Sequence, residues 1–142
     1  MSKLNVALTI AGTDPTGGAG IMADLKSFQA RDVYGMAVVT SVVAQNTCGV
    51  QAIRHLDMEI LDAQLHSVFS DIRPDAIKTG MLAEVDCIEL VASYLEKIKQ
   101  PYVLDPVMIA TSGDRLVDEK AVAVIIEKLF PLATLITPNL PE

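Results

Sequence analysis

Short runs of β-forming apolar residues alternate along this chain with longer segments of helical period, and that alternation leaves few folds open. Residues 6–10, 37–43, 76–78, 102–104 and 134–136 read as strands. Between them apolar side chains recur three and four positions apart: Ile21, Leu25 and Phe28; Leu61, Leu65, Val68 and Ile72; Ile88, Val91, Leu95 and Ile98; Val122, Ile125 and Leu129. Each set makes one apolar stripe on a helix that packs against a sheet. Strand–helix–strand alternation with short links implies parallel strands, right-handed crossovers and helices on both faces. The expected class is therefore α/β with a mostly parallel sheet. Residues 47–56 alternate only partly, around Val50, Ala52 and Ile53, and suggest an extra strand or a flap.

The 142 residues suit one domain with a sizeable core, and about half are apolar. A net charge of −7 with no basic cluster argues against a nucleic-acid partner. A single phosphorylated small molecule stays open, because Mg²⁺ and helix N-termini hold phosphate without a basic surface. No apolar stretch is long enough to span a bilayer, and the run near the N-terminus is too short for a signal peptide, so no membrane partner and a cytoplasmic location are expected. Cys48 and Cys87 are far apart without CxxC spacing, and the expectation is two buried free thiols.

In an open parallel sheet, ligands bind beyond the carboxyl ends of the strands. The segments that follow the expected strands are Gly12-Thr13-Asp14, Gln45-Asn46, Thr79-Gly80-Met81, Asp105-Pro106-Val107 and Thr137-Pro138-Asn139. All are polar or contain glycine, and all are expected on one rim. The first opens a glycine-dense turn, residues 12–20, that leads into a helix. Such a turn admits close approach to the backbone, and a helix start offers free N–H groups and a positive dipole end.

Two common phosphate motifs fail against this turn. Gly12-x₄-Gly17 has the P-loop glycine spacing, but Gly18-Ala19 stands where Lys and Ser/Thr are required. Gly18-Ala19-Gly20-Ile21-Met22-Ala23 satisfies a dinucleotide fingerprint, yet the second expected strand ends in Ala44-Gln45-Asn46 without the acid that binds a ribose. A ligand-free tight turn is the plain alternative.

Taken with the rest of the rim, the turn resembles a known signature. The run from Thr9 to Lys26, TIAGTDPTGGAGIMADLK, is similar to the amino-terminal signature of the hydroxymethylpyrimidine/phosphomethylpyrimidine kinases, a ribokinase-superfamily family of thiamine biosynthesis. Four later stretches agree with it: Val43-Ala44-Gln45-Asn46-Thr47, Lys78-Thr79-Gly80-Met81-Leu82, Val103-Leu104-Asp105-Pro106-Val107-Met108, and Ile136-Thr137-Pro138-Asn139-Leu140-Pro141-Glu142. The resemblance runs from about residue 5 to the last residue and covers the first half of the family's length. It implies a ribokinase-like fold, truncated, with residues 1–142 as the amino-terminal part of a single kinase domain. The implied cofactors are ATP and Mg²⁺. The implied reaction is phosphorylation of 4-amino-5-hydroxymethyl-2-methylpyrimidine and then of its monophosphate.

Individual roles follow from the resemblance. A carboxamide offers a donor and an acceptor that complement the ring nitrogen and amino group of an aminopyrimidine, so Gln45 is expected to fix the ring; the alternative is an amide satisfied by loop backbone. Gly12 and Ala19 would let the substrate reach the backbone. Asp24 would face the same pocket from the first helical turn, where an acid also serves as a routine dipole partner. Val43, Met81 and Val107 would wall the ring or belong to the sheet-end core. Asp105 and Glu142, at adjacent strand ends, suit Mg²⁺. Asn139 and Glu142 form an NxxE pattern implied to position metal and phosphates. Lys78 would neutralise phosphate or simply be solvated. His55 and His66 carry no assigned chemistry.

The family's second-half motifs, including the anion hole with its catalytic thiol or carboxylate, do not occur in this sequence, so no catalytic residue is assigned here. The chain ends just after its fifth expected strand, and the expectation is a fragment that binds acceptor but is inactive alone. Two alternatives remain: a pyridoxal or pyridoxine kinase, and a non-enzymatic pyrimidine-binding module. The resemblance suggests a homodimer, and an uncovered sheet edge would also favour association.

Overall fold

The computed structural model describes residues 3–110 and 112–142. Its main sheet has five strands, all parallel, in the order β2-β1-β5-β6-β7. These are β1 (Val6–Ala11), β2 (Tyr34–Val39), β5 (Ala76–Thr79), β6 (Tyr102–Leu104) and β7 (Leu135–Ile136). A separate antiparallel hairpin joins β3 (Ser41–Asn46) to β4 (Gly49–His55). Helix α1 (Gly20–Gln29) connects β1 to β2, while α2 (Met58–Asp71), α3 (Val85–Leu95) and α4 (Glu119–Val124) lie between later strands. The expected α/β class with a mostly parallel sheet is what the structure shows.

The period-two alternation of β1 and β2 separates the two faces of the sheet. Leu8, Ile10 and Val38 point into a core with Leu61 and Leu65 of α2, Ile88 and Val91 of α3, and Ala121 of α4. The alternate residues face α1. A Cβ at Gly35 would come within 2.8 Å of Leu25 Cδ2, so the missing side chain lets α1 sit close on β2. Thr9 likewise reaches Asp24 of α1. The helices therefore cover both faces. Each buried aliphatic side chain in the main core contributes about 1.5–3 kcal/mol by leaving water.

Side-chain caps define two of the helix starts. Asp57 accepts the N–H of Ile60 at 2.9 Å and starts α2, and Asp118 does the same for Ala121 at 2.8 Å and starts α4. The α4 stripe continues through one wider π turn, Ile125–Leu129, which keeps Ile125 and Leu129 in the core. Among the described residues no helix is long and apolar enough to cross a membrane.

The structure corrects several sequence expectations. The run 37–43 is not one strand: β2 ends at Val39, and β3 begins at Ser41 in a different sheet. Thr40 makes the break, with its N–H on the Ala11 carbonyl at 2.9 Å and its hydroxyl on the Met81 carbonyl at 3.1 Å. β-branched and apolar residues fit a buried sheet and a hairpin equally well, so composition does not mark where the chain changes partner. Residues 47–56 do contain a strand, β4, which makes the expected flap. Ile72 caps α2 from outside the helix, and Ile98 packs from beyond the end of α3. Cys87 is buried as expected, and burial pushes its thiol up to about 12, but Cys48 is exposed because it sits in the turn between β3 and β4.

Candidate active site

A cleft of about 760 Å³ opens at the carboxyl ends of the strands. Gly12 enters it after β1, Gly80 and Met81 after β5, Asp105 and Val107 after β6, and Asn139 and Glu142 after β7. Val43 and Gln45 line it from the flap rather than from a main-sheet strand end, which corrects the expected rim position of Gln45-Asn46. Ala19, Asp24 and Lys78 complete the set, so every site residue expected from the sequence borders this one cleft.

The glycine turn is organised around an anion of its own. The Asp14 carboxylate accepts the N–H groups of Thr16 at 2.9 Å, Gly18 at 3.0 Å and Ala19 at 2.8 Å, and the Thr16 hydroxyl at 2.8 Å. Burial alone would raise this carboxyl, but the Thr16 donors, the Gln45 side chain and the Ala19 N–H outweigh it and hold it below the usual carboxylate range. The expected free N–H groups at the end of the turn are therefore largely occupied. Gly20 has φ +58, and a Cβ there would run into the Gly12 carbonyl, which accepts the N–H of Ile21 at 3.0 Å. Only glycine fits that position.

The turn also holds the flap. The Thr13 N–H donates to the Ser41 carbonyl at 3.0 Å, and the Thr13 hydroxyl accepts the Val43 N–H at 2.9 Å. Val43 is thus held against Gly12, and the hairpin register shifts just beyond it, between Ala44 and Gln45. A Cβ on Gly12 would lie 2.8 Å from Met81 Cε and 3.6 Å from Val43 Cγ2, so the apolar pair closes directly on the glycine backbone.

Asp24 lies in the second turn of α1, not the first, so a dipole-partner role is ruled out by position. Its Oδ2 accepts the Thr9 hydroxyl at 2.6 Å and the Lys78 ammonium at 2.9 Å. The Lys78 ammonium also stands 3.6 Å from Asp105 Oδ2, and its side chain is only 21% exposed. Lys78 is therefore not a solvated surface lysine. It sits between two carboxylates.

Burial pushes the Asp105 carboxyl above the usual range; the Lys78 ammonium opposes this and the Glu142 carboxylate adds to it. Glu142 is fixed by its own motif. Its two oxygens accept the N–H groups of Met108 at 2.9 Å and Asn139 at 3.1 Å, and its N–H reaches Asn139 Oδ1 at 3.2 Å. Among the described residues no three His, Cys, Asp or Glu side chains gather in a metal-ligating group. Two hard carboxylates whose mutual repulsion a cation would relieve still fit Mg²⁺, which takes few protein oxygens and keeps its waters.

Sequence reasoning missed several contributors. Thr9 looked like an ordinary strand residue. Asp14 belonged to the quoted signature without a role, although Asp-Pro-Thr-Gly-Gly is a sequence in which an Asp side chain commonly binds the following backbone. Thr47 to Val50 at the flap tip and Ile109, Ala110 and Ser112 in the loop after β6 also line the cleft.

With this geometry in view, the family model described as phosphomethylpyrimidine kinase matches residues 14–142. A hydroxymethylpyrimidine/phosphomethylpyrimidine kinase from Staphylococcus aureus strain MRSA252 is 58% identical, covering 100% of this chain and 52% of the relative. A crystal structure of phosphomethylpyrimidine kinase from Clostridium difficile 630 superposes with a TM-score of 0.90 at 47% identity, over 97% of this chain and 60% of that one. A Staphylococcus aureus pyridoxal kinase in complex with AMP-PCP and pyridoxal gives a TM-score of 0.84 at 38% identity, over 97% of this chain and 49% of that one. The chain spans about half the length of the curated relatives it matches. The family model covers nearly the whole chain, and the chain belongs to the phosphomethylpyrimidine kinase family.

Proposed function

We propose that this chain forms the acceptor-binding side of a cytoplasmic kinase of thiamine biosynthesis, one that phosphorylates 4-amino-5-hydroxymethyl-2-methylpyrimidine and its monophosphate with ATP and Mg²⁺. The observation that carries the reading is the position of Gln45. It lines the cleft from the flap together with Val43, which closes on Gly12 beside Met81, and one carboxamide there can meet both the ring nitrogen and the amino group of an aminopyrimidine. Gly12 and Ala19 leave room for the hydroxymethyl arm, and Val107 closes a further apolar side.

In this reading Asp105 and Glu142 hold Mg²⁺, Asn139 fixes Glu142, and Lys78 faces the phosphate. When bound, the ion supplies charge neutralisation for the transferred phosphoryl group. ATP use is supported by the relative crystallised with AMP-PCP. A homodimer is the proposed assembly. The chain itself is proposed to bind acceptor without turning it over, since none of its cleft residues is assigned as the base.

Calorimetry with the pyrimidine tests the reading. Binding by the 142-residue chain that is lost in Gln45→Ala is the expected result. Equal binding by Gln45→Ala would falsify the assignment of Gln45, and turnover of Mg-ATP and pyrimidine by the chain alone at an ordinary kinase rate would overturn its inactivity.

A pyridoxal kinase is the second reading, favoured by the structural likeness to the pyridoxal-bound relative. Pyridoxal also carries a hydroxymethyl group but lacks the amino–nitrogen pair that Gln45 is proposed to complement. Tighter binding of pyridoxal than of the pyrimidine would decide for it.

A further inference from the structure

Thr9 is fully buried in β1, an interior strand paired on both sides, and its hydroxyl donates to Oδ2 of Asp24 at 2.6 Å. Lys78, on the neighbouring strand β5, donates to the same oxygen at 2.9 Å. Their register brings them together, because Thr9 pairs with Lys78 across the β1–β5 ladder and both side chains rise on the α1 face. Two donors on one oxygen leave Oδ1 as the free edge of the carboxylate, and among the described residues it takes no protein donor. Asp24 borders the cleft that Gln45 and Gly12 share.

We propose that Thr9 and Lys78 are positioning residues that clamp Asp24 Oδ2 and thereby present Oδ1 to a hydroxyl or amino donor of the acceptor substrate. A strand-borne hydroxyl suits this task, since a strand hydrogen-bonded on both sides is a firm support and Thr has one stiff rotatable bond. Lys78 adds a second constraint. Standing 3.6 Å from Asp105, its ammonium ties the acceptor carboxylate to the carboxylate on the phosphate side, so the spacing of the two subsites depends on one side chain. The proposal rests on the reading of Asp24 as an acceptor contact.

A double-mutant cycle tests it, with 4-amino-5-hydroxymethyl-2-methylpyrimidine as the probe and calorimetry on the 142-residue chain as the readout. Thr9→Val keeps shape and burial but removes the donor. It is expected to weaken binding about tenfold, the effect of one charge-assisted hydrogen bond, with Thr9→Ser restoring most of it. In an Asp24→Ala background the further change Thr9→Val is expected to cost nothing, because the clamp has nothing left to hold. An equal loss in both backgrounds overturns the proposal, as does unchanged affinity in Thr9→Val. A ligand-free check runs beside it: a crystal structure of the Thr9→Val/Lys78→Met variant is expected to show Asp24 in a new side-chain orientation, and an unmoved carboxylate sinks the clamp. Failure of the unaltered chain to bind the pyrimidine counts against the proposed function instead, and the crystallographic arm still decides the clamp.

Discussion

The Asp14 carboxylate takes the N–H of Ala19 at 2.8 Å, across the glycine turn that it also organises through Thr16 and Gly18. A turn rich in glycine and set before a helix invites a phosphate, yet here a buried side chain of the same turn fills that role. The outer face of the turn, Gly12 and Ala19 with the flap, borders the cleft.

Asp14→Asn is expected to lower stability by about 1–3 kcal/mol, because an amide cannot accept from all the donors now served by a carboxylate. The pH dependence has a definite sign. The folded carboxyl lies below its unfolded value, so its stabilisation is complete above the unfolded carboxylate pKa and disappears as pH falls through the folded one. Chemical denaturation across pH 2–6, a window of roughly that range for carboxylates, should show a shallower acid loss in Asp14→Asn than in the unaltered chain.

Gly12 and Gly20 should respond differently to the same change. Gly20→Ala combines a left-handed backbone with a collision at the Gly12 carbonyl, and a loss of about 1–3 kcal/mol is expected in thermal unfolding. At Gly12 the obstructing atom is the flexible end of Met81, so Gly12→Ala should stay folded. It should instead lose pyrimidine affinity, since the methyl group and the displaced Met81 enter the cleft. Comparable melting points for the two variants would contradict this division.

Tyr102 and Thr79 share a fully buried hydroxyl pair at 2.6 Å beneath the site. Tyr102→Phe and Thr79→Val each leave one partner without its bond and should each cost about 1–3 kcal/mol in urea unfolding. The double variant should cost clearly less than the sum, because no unpaired hydroxyl remains. Strict additivity would mean that the pair is not coupled.

Asp105 carries an unfavourable charge in the absence of a cation. Its folded pKa is raised, so its ionisation counts against stability once pH rises through the carboxylate range. Asp105→Asn is therefore expected to melt at a higher temperature at pH 7 without added metal, and the rise in melting temperature expected of the unaltered chain on adding Mg²⁺ is expected to be lost. Equal Mg²⁺ responses in the two proteins, read by scanning calorimetry, would remove Asp105 from the metal site.

The α/β class was legible because each strand and each helical stripe states its own period. Leu61 and Leu65 or Ile88 and Val91 need no distant information to be recognised as one helix face. The signature residues were equally readable as positions, since motif spacing is local. What a local pattern does not carry is the identity of a backbone partner. Residues 37–43 offered one continuous apolar run, and only the bonds from Thr40 to Ala11 and Met81 divide it between the sheet and the flap. Gln45 consequently reaches the cleft from above and not from a strand end.

The sequence by itself determined the fold class, the family resemblance and the motif residues that border the cleft, because periodicity and motif spacing are properties of neighbouring positions. Only the tertiary structure decided the partners of the charged groups. Asp14 closes the turn on itself, Asp24 leans on Thr9 and Lys78, and Lys78 bridges to Asp105 over separations of 54 and 27 positions in the chain. Hydrogen bonds and ion pairs act over a few ångströms through space, and strand order, not chain order, sets which side chains come that close.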